Sequence, residues 1–290
     1  MHSPKMLLML LASIALGADF SGTSALRYTE RVVSFGPRPP GSAAIRKLQS
    51  YIIGELNKRQ CEVLFDAFNA QTPVGVLPMK NIVARFKGST GRIIAITGHY
   101  DTKLMRGMNF VGANDGGSST GFLLEMARAL SGRPRKDDVY LVWFDGEEAI
   151  AEWSETDGAY GSRHLAKRWY EDGTASRLKA LINVDMIGDK DLGILQVTNS
   201  SDTLRRLVWK VAVDLGYSRY FLHEAVYVDD DHMAFYRLGM NALNLIDFQY
   251  GPQNSYWHTA RDTVDKLSAH SFEVVGAVLL ETIRRLEQTF

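Results

Sequence analysis

Cysteine is almost missing: Cys61 is the one thiol in 290 residues. No intramolecular disulfide can form and no cysteine-based zinc site can be built, so any metal must rest on His, Asp and Glu. Excess charge of one sign is missing too. Lys plus Arg number 33 and Asp plus Glu number 33, which argues against a strongly basic nucleic-acid binder. Past the N-terminus no apolar run is long enough to span a bilayer. There is no internal repeat, low-complexity tract, phosphate loop or linker long enough to mark a domain boundary. At 46% hydrophobic and 23% charged residues, the chain is too apolar for a disordered one.

The N-terminus is an exception to the rest. Lys5 precedes the short apolar run Met6–Ala18, which ends in small residues. This has the form of an export signal rather than a membrane span. Residues 1–18 are therefore read as a signal peptide and 19–290 as one catalytic domain, secreted or periplasmic.

Helical spacing runs from Ser24 to Phe35 and resumes with Ile45, Leu48, Ile52 and Leu56; between them the prolines of Gly36–Ser42 enforce a loop. Short β-rich runs then appear at 63–65, 81–86, 93–97, 139–144, 180–184 and 242–246, several apolar on both faces as strands between helix layers must be. Helical segments at 117–131, 161–170, 203–215, 231–238 and 271–286 alternate with them. The pattern predicts an α/β fold: one mixed, mostly parallel central sheet flanked by helices on both faces.

Polar clusters fall where those strands end. His99-Tyr100-Asp101 follows the third run, and Asn114-Asp115-Gly116 opens the next helix. Asp145-Gly146-Glu147-Glu148 follows Leu141–Phe144, Asp185 follows Asn183-Val184, and Trp257-His258 lies beyond the last run. Singly, each has an ordinary explanation as a cap, a solvated pair or a satisfied histidine. Together they converge on the carboxyl edge of a sheet, where open α/β folds bind ligands. A carboxylate flanked by apolar residues, as Asp185 is, must be paired or bound to a cation. Carboxylates and imidazoles with an open position suit a catalytic zinc. His99, Asp115, Glu147 or Glu148, Asp185 and His258 form the donor pool, enough for one metal or two.

The same residues resemble the zinc aminopeptidase superfamily, and within it the animal-type glutaminyl cyclase family. The likeness rests on Phe144–Ala149 followed by Trp153-Ser154, Asp157 and Tyr160–Ala166, on His99–Lys103, and on Asp229–Phe235. It extends over roughly residues 25 to 290. The resemblance implies one zinc per chain held by Asp115, Glu148 and His258, with Glu147 as general acid/base. Asp185 and Asp230 would form an acidic network beside it, with His99 close to the metal but not ligating it. Trp153 and Trp257 would line the pocket for the substrate side chain. The implied reaction is acyl transfer on peptides or proteins with N-terminal glutamine, closing pyroglutamate with loss of ammonia. No nucleic-acid partner and a monomeric state are expected.

The chain departs from that family in places. Gly98 and Thr120 stand where animal enzymes carry a disulfide, Asn244 stands in place of a histidine, and the Leu245–His258 connection is longer. A two-zinc aminopeptidase is the alternative, with His99 and Asp185 on a second metal and Asp115 bridging. A non-catalytic binding domain on the same fold is a third reading, against which stands the intact donor set.

Overall fold

The computed structural model describes residues 20–289; the run read as a signal lies outside them. Helices α1 (Gly22–Val33) and α2 (Ala43–Leu56) lead into a hairpin of β1 (Glu62–Thr72) and β2 (Gly75–Phe86). Then come β3 (Ile93–His99), α3 (Gly117–Leu130), β4 (Asp138–Phe144), α4 (Tyr160–Glu171), β5 (Leu178–Asp185) and β6 (Ile194–Val197). The remainder is α5 (Asp202–Asp214), β7 (Phe221–Val226), α6 (His232–Tyr236), β8 (Ala242–Ile246) and α7 (Ala269–Leu286). Serines 21, 42, 201 and 268 start α1, α2, α5 and α7 by accepting a first-turn N–H on their side chains.

The main sheet has the order β1-β2-β4-β3-β5-β8. β1, β2 and β4 pair antiparallel, whereas β4, β3, β5 and β8 pair parallel. Every residue of β3, β4 and β8 is buried, which is why those runs read as apolar on both faces. Alternation then sorts the side chains. Ile94, Ile96, Leu141, Trp143, Ile182 and Leu243 join the core under α1, α2, α3, α5 and α7. Ile93, Ala95, Tyr140, Val142, Leu181 and Ala242 meet α4 and α6 on the other face.

The predicted layers and all six predicted strands are present. The first two strands run longer than the apolar runs at 63–65 and 81–86, because an arm reaching to Thr72 and Gly75 extends the hairpin with largely exposed residues. A second, two-stranded parallel sheet of β6 and β7 has no counterpart in the sequence reading. Cys61 sits half-buried one residue before β1.

Candidate active site

The parallel strands β3, β4, β5 and β8 all end on one edge, and each delivers polar groups there. β3 ends at His99. Its Nε2 lies 3.2 Å from Asp115 Oδ1 and 3.2 Å from Asp185 Oδ1, the latter at the end of β5. Its Nδ1 faces Asp101 Oδ1 at 3.5 Å. β4 is followed by Glu147 and Glu148, and the loop beyond β8 brings His258. His258 Nε2 lies 3.1 Å from Glu148 Oε1 and 3.2 Å from Asp115 Oδ2. His99, Asp115, Glu147, Glu148, Asp185 and His258, scattered over 160 positions of sequence, therefore meet.

Sharp backbone turns make this convergence local. The helices that begin at the site, α3 and α4, lack a serine cap; Gly116 (φ 74°) and Ala159 (φ 47°) turn the chain in the left-handed region instead. His258 (φ 51°) and Met186 (φ 47°), next to Asp185, are also left-handed. Strain of this kind persists where surrounding structure over-determines it. The His258 ring is sandwiched accordingly: it stacks on Trp257 at 4.1 Å and meets Phe110 edge-on at 5.7 Å.

A layer of clamps stands behind the donors, and sequence reasoning assigned it no role. Asp101 accepts the backbone N–H of Glu147 (3.1 Å) and of Glu148 (3.3 Å), one on each carboxylate oxygen. Asp262 does the same for Asn114 (2.8 Å) and Asp115 (3.2 Å), and accepts the Tyr250 hydroxyl at 2.8 Å. Arg38, fully buried, donates to the carbonyls of Tyr100, Val111 and Gly112, pinning the loop that leads into Asp115. Burial draws its guanidinium down to about 10, against the charges of Asp262, Asp101 and Asp115. Asp145, read as part of the acidic cluster, turns away to accept Lys80 N (2.8 Å) and Tyr100 Oη (2.9 Å).

Electrostatics mark this edge as a cation site. Asp101, Asp115, Glu147, Glu148, Asp185, Asp230 and Asp231 are all buried, against two imidazoles, Lys103 and Arg38. Burial lifts the Glu147 carboxyl well above the usual carboxylate range, His99 opposes this, and the charges of Glu148, Asp230 and Asp231 add to it. Burial and the Asp185 charge lift Asp230 to about 7. The amides of Asn183 (3.1 Å) and Asn244 (2.7 Å) hold the two oxygens of Asp230. Several buried atoms of this edge have no hydrogen-bond partner: Asp115 Oδ2, which faces His258, both carboxylate oxygens of Asp231, and His99 Nδ1. One ligand atom each from Asp115, Glu148 and His258 lie within 4.8 Å of one another, and so do those of His99, Asp115 and Asp185. An excess of buried carboxylates with an unsatisfied oxygen among clustered donors fits a divalent metal.

A cavity of about 500 Å³ opens over these groups, walled by Trp153, Tyr227, Ile246, Phe248 and Trp257 with Glu147, Asp185 and Asp230 at its base. Trp153 is presented by a loop closed on Asp157. That carboxylate accepts Ile150 N (2.7 Å), Ala151 N (2.9 Å), Glu152 N (3.0 Å) and the Tyr160 hydroxyl (2.8 Å). Gly158 completes the loop at φ 116°; a Cβ there would lie 2.7 Å from the Trp153 ring. Tyr227 and Phe248 escaped the sequence reading because they sit in stretches without periodicity.

The model of peptidase family M28 matches residues 81–283. Over 252 residues the chain is 29% identical to the glutaminyl-peptide cyclotransferase of Drosophila melanogaster, covering 78% of this chain and 70% of that one. Over 275 residues it is 31% identical to a glutaminyl-peptide cyclotransferase-like protein of Bos taurus, covering 84% and 70%. The crystal structure of a glutaminyl cyclase from an Acidobacteriales bacterium superposes with a TM-score of 0.91 at 39% identity, covering 99% of each chain.

Proposed function

The chain belongs to peptidase family M28, and from that premise we propose that it is a glutaminyl-peptide cyclotransferase, an acyltransferase that converts N-terminal glutamine of peptides and proteins to pyroglutamate and ammonia. The observation that carries this reading is the pairing of an aromatic cavity with a buried glutamate, Glu147, that lines it. Hydrolysis needs a water at the reacting carbon. Cyclisation needs a folded glutamine side chain shielded from water, with its own amine as nucleophile, and Trp153 and Trp257 provide such walls.

Asp115, Glu148 and His258 are the residues that would hold a single zinc, and the unpartnered Asp115 Oδ2 supports that choice. When bound, zinc supplies Lewis-acid polarisation of the γ-carbonyl oxygen. The α-amine nitrogen attacks the carbonyl carbon of the side-chain amide, closing the five-membered ring, and the bond from that carbon to the amide nitrogen breaks. Glu147 takes the proton lost by the amine and returns it to the departing ammonia; a carboxyl raised by burial is suited to both transfers. Asp230, held by two amides, is placed to orient the leaving nitrogen, with Asp185 beside it. Lys103 donates to Ala149 O at 3.1 Å and stands 3.7 Å from Glu148 Oε2, steadying that carboxylate.

The second donor group, His99 with Asp115 and Asp185, supports an aminopeptidase with two zincs as the other reading. Against it stand Trp153 in the cavity wall and Lys103 beside Glu148. We further propose export by the 1–18 segment and a monomer in solution. Among the described residues no helix is long and apolar enough to cross a membrane.

The deciding experiment incubates purified protein with a Gln-initiated peptide, with and without chelator, and reads products by mass spectrometry. Loss of one ammonia from an otherwise intact peptide, abolished by chelation, is expected. Release of free amino acids would replace this reading by the peptidase.

A further inference from the structure

The mouth of the cavity carries one charge that nothing balances. Glu152 lines it, is exposed, and makes no hydrogen bond or ion pair through its side chain among the described residues. The other rim carboxylate, Asp229, is neutralised by Arg237 at 3.1 Å to both oxygens. Lys103, the cation of the lining, is turned inward to Ala149 O and Glu148. The backbone at Glu152 is held in place: its N–H donates to Asp157 Oδ2, and the next residue, Trp153, packs its ring on Gly158. Beside it stand two exposed aromatic faces, Trp153 at 40% and Tyr227 at 67% exposure.

A glutamine that delivers its side chain and α-amine to the inner carboxylates sends the rest of its peptide out past this rim. An unpaired carboxylate on an anchored stretch of backbone, lining the same cavity as exposed aromatic faces, recognises a cationic side chain, by ion pairing and by cation–π contact. We propose that Glu152 makes the enzyme selective for glutaminyl peptides in which a lysine or arginine follows the glutamine, over those with an acidic residue there. The proposal rests on the cyclotransferase reading above.

The test compares kcat/KM for three matched peptides, Gln-Lys, Gln-Ala and Gln-Glu at the first two positions, in the zinc-loaded full-length enzyme. The readout is the ratio between peptides within each enzyme, so a general change in activity cancels. At low ionic strength the Lys peptide should exceed the Glu peptide by roughly tenfold, with the Ala peptide between them. Salt at about 0.5 M should compress that ratio. In Glu152→Gln it should fall to about twofold, and Glu152→Lys should invert the order. A flat wild-type profile, or the same ratio in wild type and Glu152→Gln, overturns the inference while leaving the cyclotransferase intact. Absence of ammonia release from all three peptides overturns both.

Discussion

Replacing Asp157 with alanine removes the carboxylate on which the first residues of the Ile150–Gly158 loop close. The carboxylate receives three backbone N–H groups and the Tyr160 hydroxyl. Ala151 and Glu152 are exposed and regain water, whereas Ile150 and the buried Tyr160 lose their partner. Two bonds to a charged acceptor at about 1.5 kcal/mol each give a cost of about 3 kcal/mol. For a chain of this size that is a fall of roughly 6 °C in Tm, read by calorimetry. The loss should depend on pH. Burial raises the Asp157 carboxyl, but the donors of Ala151, Ile150 and Tyr160 outweigh it and hold it below its usual range. A depressed carboxylate stabilises above its unfolded pKa and ceases to as pH falls through its folded one, so the Tm gap between wild type and variant should narrow below about pH 4. The loop also presents Trp153 to the cavity, so KM for a Gln-peptide should rise about tenfold, the worth of one ordered aromatic contact. A stability loss with unchanged KM would refute the link between this loop and Trp153, and an unchanged Tm would refute the clamp itself.

Glu147→Gln should lower kcat by a factor on the order of 10² to 10⁴ while leaving bound zinc unchanged by elemental analysis; a loss of zinc would make Glu147 a ligand instead. Asp185→Asn should keep the zinc content of the wild type at one per chain, and a fall from two to one would favour the peptidase. Asp145→Asn should flatten the pH dependence of stability. Burial, with the charge of Asp101, raises Asp145 to about 8, so its contribution is full below the ordinary carboxylate pKa and is lost as pH rises through about 8. The metal-free wild type should therefore lose more Tm than the variant between about pH 4 and pH 8; equal slopes would contradict this.

The parallel strands were legible because burial on both faces leaves a mark, an apolar run without alternation. Once the strands are placed, the polar residues after them must share an edge, so His99, Asp115, Glu147, Glu148, Asp185 and His258 could be gathered from sequence. β6 and β7 left no such mark: one is four residues long, and half of the other is exposed. The clamps were hidden for another reason. Asp262 holds Asn114 from 148 positions away, and Arg38 reaches Gly112 from 74. Both act on backbone groups, which carry no residue-type signature. Asp157 stood within the recognised motif, but its function, closing a loop upon itself, becomes visible only when its three N–H partners are in place.

The separation of the proposed ligands along the chain has a consequence for biogenesis. Glu148 and His258 are 110 positions apart, and the segment between them includes β5, β8 and the whole of the smaller sheet. A growing polypeptide that has reached Glu148 owns two of the three donors but none of the scaffold that sets the third. Metal capture must therefore follow synthesis and docking of the loop that carries His258, rather than nucleate the fold. Zinc occupancy would then serve as a proofreading mark of completed tertiary structure, and a chain stalled or misfolded after α4 would leave its carboxylates unmetallated.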